Sequence, residues 1–276
     1  MAKPRCALVT GASAGIGAAF ARELAARGHS LVLTARRADR LDLLAGELRN
    51  RHGTDVHCIP CDLADPNAPA LLDEEIARLR LAIDVLINNA GYGVTGTFLS
   101  KPWQTHADFI QVLMTAPAEL CYRFLPAMRE RGYGRIVNVA SLAGMIPAPA
   151  GHTLYAASKA YLIRFSQALA LENRRFGVNV LAVCPGFTRS EFHDVTGTRD
   201  QMKGMPAWLW MAAEPVVRDA LDAVDRGDVV RVSGRVNRMI KRLFAWLPDR
   251  FALRLIDQRG KDFRATDEPH APDARQ

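Results

Sequence analysis

Four things are missing from this chain, and each absence removes a class of function. No apolar run approaches the roughly 18 residues that a membrane-crossing helix needs. After the opening MAKPR, the run CALV breaks at Thr10-Gly11, too short for the core of a signal peptide, so the default address is the cytoplasm. Cysteine is sparse and odd in number, five in 276 residues, which fits reduced thiols better than a disulfide framework. Cys58 and Cys61 form a CxxC, but no second ligand pair accompanies it and Cys58 belongs to the strand-like run VHCIP, so no metal or redox role is expected. No internal repeat is apparent. Finally, Glu is absent between Arg226 and Arg264, where eleven Lys/Arg face four Asp; this surplus equals the whole formal charge of +7. The basicity is therefore one C-terminal segment without a recognised nucleic-acid motif, and no nucleic-acid partner is expected.

What is present, 49% hydrophobic and 24% charged residues, is globular and long enough to bury the core of one large α/β domain. Short apolar or β-branched runs alternate with helix-patterned stretches. CALVT precedes 16–27, LVLTA precedes 38–50, VHCIP precedes 69–79 and DVLIN precedes a long loop; RIVNVA, VNVLAV and, after 214–225, DVVRVS complete the set. Runs that are apolar throughout imply strands buried on both faces, hence a doubly wound parallel sheet with helices on each side. Ligands in such sheets bind outside the carboxyl ends of the strands.

The chemistry-bearing residues cluster at those ends. CALVT runs into Gly11-Ala-Ser13-Ala-Gly15-Ile16-Gly17, which opens an apolar-periodic helix, the arrangement that brings unpaired N–H groups and a positive dipole end against a pyrophosphate. Where an acid would bind a ribose 2′-hydroxyl, the chain has Ala35-Arg36-Arg37, whose guanidiniums would instead pair with a 2′-phosphate; the bland alternative is two solvated loop arginines. Asp62-Leu63 follows the third run, placed to reach an adenine, and Asn88-Asn89-Ala90-Gly91 follows the fourth. Tyr155 and Lys159 stand four apart in LYAASKAYLIRF, so on a helix the ammonium sits beside the phenol, and Ser141 lies fourteen residues upstream of Tyr155. A phenol of ordinary pKa, about 10, is too weak an acid at neutral pH unless a nearby cation stabilises its phenolate.

Thr10-Gly-Ala-Ser-Ala-Gly-Ile-Gly17, Asn88-Asn-Ala-Gly91, Ser141, Tyr155-x-x-x-Lys159 and Pro185-Gly186 resemble, in order and spacing, the short-chain dehydrogenase/reductase family over about residues 5–235. The resemblance implies a Rossmann-type fold in a single domain, 1–235, and nicotinamide-dependent carbonyl/alcohol redox chemistry; with Arg36 and Arg37, NADP(H) is expected to be preferred, NAD(H) being the alternative. It makes Tyr155 the proton donor or acceptor, Lys159 the cation that lowers the phenol pKa and holds the nicotinamide ribose, and Ser141 the partner of the substrate oxygen. Gly11, Ser13, Gly15, Ile16, Gly17, Arg36, Arg37, Asp62, Leu63, Asn89, Ala90, Gly91, Pro185, Gly186 and Thr188 would line the dinucleotide, and the resemblance further implies a homo-oligomer.

One position departs from the pattern. The family's Asn in the helix after NNAG, which helps hold a relay water, is Leu113 here, and leucine cannot hydrogen-bond. Gln111, two residues away, would face another side of a helix. An active, slower enzyme is expected, against a cofactor-binding sensor or scaffold. His152 is read as a loop histidine rather than a cleft residue, and His193, in the stretch where the family places its substrate lid, is given no chemistry. Trp208 and Trp210 suggest an apolar substrate pocket, against packing on the sheet.

The basic segment 236–264 places Val236, Ile240, Leu243 and Leu247 at helical spacing among Arg238, Lys241 and Arg242, is interrupted at Pro248, and resumes with Phe251, Leu255 and Ile256 among further arginines. A basic amphipathic helix with Trp and Phe can lie in a membrane interface, cover a substrate cleft or pack against a second subunit. Residues 265–276 read as a disordered tail.

Overall fold

The computed structural model describes residues 4–94, 96–189 and 206–260. Seven strands, β1 (Cys6–Thr10), β2 (Ser30–Thr34), β3 (Val56–Cys58), β4 (Ile83–Asn88), β5 (Gly134–Val139), β6 (Val178–Cys184) and β7 (Val230–Val232), form one sheet in the order β3-β2-β1-β4-β5-β6-β7. Every pairing is parallel.

The reason these runs carry no polar alternation is visible in what each face meets. On one face Ala7, Val9, Leu31, Leu33, Val85 and Ile87 pack against α1 (Gly15–Ala26), α2 (Ala38–His52) and α7 (Ala213–Asp225). The intervening residues Cys6, Leu8, Val32 and Leu86 pack on the other face against α3 (Ala68–Arg78), α5 (Ala116–Glu130) and α6 (Thr153–Asn173). With both faces covered, a period of two selects which helix layer a side chain meets rather than whether it meets water. The doubly wound Rossmann-type reading therefore holds, and the strand order reverses between β1 and β4, which opens the crevice where such folds bind ligands.

α4 (Trp103–Ile110) runs into α5 through a π turn over Gln111–Thr115. Here the Ala116 amide reaches back five residues to the Gln111 carbonyl, and Pro117, which has no N–H, leaves the Leu113 carbonyl without its α-helical bond. Beyond β7, α8 (Arg235–Trp246) and α9 (Asp249–Gly260) are separated at Leu247-Pro248, as the proline demands. No helix among the described residues is long and apolar enough to cross a membrane.

Candidate functional site

The glycine loop is closed by its own lack of side chains. A Cβ at Gly17 would fall 2.2 Å from the Gly11 carbonyl oxygen and 2.5 Å from Asn89 Nδ2, so only glycine lets α1 begin there. α1 starts after Ala14 with no side-chain cap among the described residues, which leaves its first N–H groups for an anion. Asn89 fixes the loop from below: its Nδ2 donates to the Thr10 and Gly11 carbonyls at 2.9 and 3.2 Å, while the Asn89 and Ala90 amides both donate to Thr10 Oγ1 at 3.0 Å.

At the end of β2, Arg37 is half-buried and donates from Nη2 to Ser13 Oγ at 3.0 Å, so its guanidinium is held against the glycine loop; Arg36 is exposed. Asp62 is exposed and accepts from the Ala64 amide at 3.1 Å, and Leu63 is buried in a cluster with Phe109 and Leu113.

Ser141 follows β5 directly and its Oγ accepts from the Ala143 amide at 3.1 Å, holding a 3₁₀ turn over Leu142–Gly144. The Leu142 amide donates to the Pro185 carbonyl at 2.9 Å, which ties this turn to the loop after β6. Tyr155 lies in the first turn of α6 and its hydroxyl is hydrogen-bonded to Ser141. One turn on, Lys159 Nζ donates to the Val139 carbonyl at 2.8 Å and lies 5.7 Å from the centroid of the Tyr155 ring.

Burial dominates the electrostatics. It pushes the Tyr155 phenol above its ordinary value, with the Ser141 bond acting the other way, and it pushes the Lys159 ammonium down to about 8. Burial is thus the first cause of both shifts. What the geometry does supply is an ammonium that still carries most of its charge at neutral pH, directly beneath the ring.

A cavity of about 660 Å³ unites these elements. Of the catalytic and cofactor-binding candidates named from the sequence, all line it except Gly17, which is buried beneath the loop. Burial pushes the Cys61 thiol, also in the lining, up rather than toward a reactive thiolate. His152 lines the cavity too, edge-on to Tyr155 with ring centroids 6.4 Å apart, and burial lowers its pKa. Its position as the residue before α6 is what brings a supposed loop histidine into the cleft. Trp208 and Trp210 do not line the cavity; Trp208 is 65% exposed and Trp210 packs on Phe187, which does line it. His193 and the stretch 190–205 lie outside the described residues, as do 261–276.

Leu113 sits inside the π turn, 1% exposed, with its Cγ 3.5 Å from where a Cβ on Gly91 would stand, and it clusters with Tyr92, Leu154 and Tyr155. It fills apolar space behind the phenol. The neighbouring Gln111 amide nitrogen is buried without a hydrogen-bond partner among the described residues.

Three residues around the site, Asn138, Ser166 and Asn237, gave no signal in the sequence. Asn88 Nδ2 donates to Asn138 Oδ1 at 2.9 Å, Asn138 Nδ2 donates to Ser166 Oγ at 2.8 Å, and Ser166 donates to the Leu162 carbonyl at 2.7 Å. This buried chain runs from β4 through β5 to α6, the helix that bears Tyr155 and Lys159. Asn237, buried in α8, donates to the Ser233 carbonyl at 2.7 Å and occupies the space over Gly186, where a Cβ would meet its amide at 2.5 Å.

The profile of the short chain dehydrogenase family matches residues 5–201. A very-long-chain 3-oxoacyl-CoA reductase from Anas platyrhynchos is 32% identical over 265 residues, 94% of this chain and 81% of that protein. Among solved structures, a short-chain dehydrogenase from Sphingobium yanoikuyae in complex with NADPH superposes with a TM-score of 0.77 at 32% identity, covering 88% of this chain and 96% of the other. The bulky-bulky ketone specific alcohol dehydrogenase from Comamonas testosteroni gives a TM-score of 0.74 at 31% identity, with 90% and 96% covered. The chain belongs to the short-chain dehydrogenase/reductase family and is a nicotinamide-dependent oxidoreductase.

Proposed function

We propose that the protein interconverts an apolar carbonyl compound and its alcohol with NADP(H). The observation that carries this reading is one cavity whose wall joins the glycine loop and Arg37 at one end to Ser141, Tyr155 and Lys159 at the other. The loop with its uncapped helix suits a pyrophosphate, and Arg37 beside Ser13 suits a 2′-phosphate that an acid would repel, so the residues fit NADP(H) in preference to NAD(H). Asp62 and Leu63 suit the adenine; Asn89, Ala90, Gly91, Pro185, Gly186 and Thr188 suit the rest of the dinucleotide.

The bound dinucleotide supplies or accepts hydride. In reduction the Tyr155 hydroxyl donates its proton to the substrate oxygen while the Ser141 hydroxyl donates a hydrogen bond to it, stabilising the charge that develops there. Lys159 stabilises the phenolate left behind, and its anchorage on the Val139 carbonyl keeps the ammonium beneath the ring. Oxidation reverses each transfer. Tyr92, Val94, Val112, Leu142, Ile146 and Phe187 give the substrate end an apolar wall, which supports a bulky or long-chain substrate, in keeping with the names of the duck and Comamonas relatives.

Tyr155→Phe is expected to abolish NADPH oxidation with a panel of aryl and long-chain ketones while NADPH binding, followed by fluorescence, persists. Turnover equal to the parent's in that variant would overturn the acid–base role. A second reading, a cofactor-binding sensor or scaffold with weak turnover, is favoured by Leu113, which puts a methyl-bearing side chain where a relay needs a polar one; it expects NADPH binding without oxidation across the panel. We further read 1–235 as the domain bearing this chemistry and the chain as a homo-oligomer through α5 and α6, whose Tyr122 and Leu171 are 79% and 63% exposed.

A further inference from the structure

We propose that α8 docks the protein on an anionic lipid surface. The helix carries four cations and no acid. Successive residues advance by about 100°, which splits its apolar residues into two strips. Val236, Ile240 and Phe244 lie on the half-buried side, beside buried Asn237, and Ile240 packs on the core under β6 and β7. Met239, Leu243 and Trp246 form the second strip at i, i+4 and i+7, and they are 68%, 58% and 88% exposed. Arg235 and Arg242, both exposed, border that strip on the side away from the core.

Two occupants could cover such a strip, and charge decides between them. A second copy related by two-fold symmetry would set the same patch against itself, bringing the Arg235 and Arg242 of each copy together with no acid on the helix to meet them. Anionic headgroups complement the same arginines, while Trp and Leu enter the acyl boundary at a depth of about 5–10 Å. Exposed Phe251 and Leu253 on α9 extend the apolar surface. The placement also has a use: Ile256 of α9 lines the substrate cavity, so the extension that carries the docking face is part of the cavity wall. This use rests on the apolar-substrate reading; the docking itself does not.

The test is flotation of the full chain with phosphatidylcholine vesicles, with and without phosphatidylglycerol. The parent is expected to float with the anionic vesicles at least about tenfold more than with the zwitterionic ones, and to be released by high salt. Met239→Ser/Leu243→Ser/Trp246→Ser and, separately, Arg235→Glu/Arg242→Glu should abolish flotation while circular dichroism and NADPH oxidation with a water-soluble ketone stay at parental levels. Recovery of the parent in the soluble fraction with both vesicle types would overturn the proposal. So would flotation of the triple-Ser variant, or a parental oligomer, seen by light scattering, that this variant dissolves. Loss of ketone reduction in the parent bears only on the enzymatic reading.

Discussion

Replacing Lys159 by Met should make the protein more stable at neutral pH even as it removes activity. The ammonium is 6% exposed, and burial lowers its pKa from 10.5 to about 8. In the unfolded chain the amine keeps its ordinary value, so between about pH 8 and 10.5 the unfolded state binds more protons than the folded one, and stability attributable to this group rises with pH there. Below about 8 both states are protonated and the cost of burying the charge is present in full, on the order of 3 kcal/mol. Met removes that cost but leaves the Val139 carbonyl without the bond it accepts at 2.8 Å, a loss of about 1 kcal/mol. The net gain is therefore roughly 2 kcal/mol at pH 6–7, falling to nothing and then reversing as pH approaches 10.5. Urea denaturation of parent and variant at a series of pH values reads it directly. A variant less stable than the parent at pH 6–7, or a difference independent of pH, would refute the argument that desolvation of Lys159 outweighs its contacts.

Arg37→Ala should lower kcat/KM for NADPH by about tenfold to a hundredfold, the worth of one charge-assisted bond, and leave NADH nearly unchanged; equal loss with both cofactors, measured by steady-state kinetics, would refute a role at the 2′-phosphate. Leu113→Asn should raise turnover and flatten the pH profile if a missing relay limits the parent, while costing about 2 kcal/mol of stability through a polar amide in the cluster around Tyr155; unchanged rates would make the relay irrelevant. Asn138→Ala should cost on the order of 2 kcal/mol in chemical denaturation, because it removes two buried hydrogen bonds, leaving Asn88 Nδ2 only its longer contacts to the Pro117 carbonyl and Cys121 Sγ and Ser166 only its bond to the Leu162 carbonyl, and a neutral change would remove this chain as a support for α6.

Strands and glycine loop were legible because their signals are local in sequence: unbroken apolar runs mark strands with two covered faces, and the glycine spacing between the first strand and first helix marks the loop, although part of what crowds Gly17 is the distant Asn89. Tyr155 and Lys159 were legible for the same reason, being one helical turn apart. What could not be read is what forms across sequence distance. Asn138 and Ser166 look like ordinary members of a strand and a helix, and only the sheet and α6 bring them together. Asn237 reaches Gly186 from an extension whose path the sequence does not state. Nor could the spacing show that burial raises the phenol, because it reveals a neighbouring charge but not how much water burial removes from both partners.

That burial bears on how Leu113 is tolerated. Desolvation raises the phenol and lowers the ammonium, so each group is held nearer to its uncharged form than it would be in water. A raised pKa keeps Tyr155 protonated to higher pH and withholds the phenolate that oxidation needs, and an apolar residue behind it, packed in the same cluster, deepens that desolvation. An amide at residue 113 would feed protons to Lys159 but would also hydrate the cluster. On the proposed acid–base reading, the leucine would therefore withhold the phenolate base and disfavour alcohol oxidation at alkaline pH. If that is the trade, Leu113→Asn should speed alcohol oxidation at alkaline pH more than ketone reduction at neutral pH. A variant that accelerates both directions equally at every pH would show that leucine does nothing but break a relay.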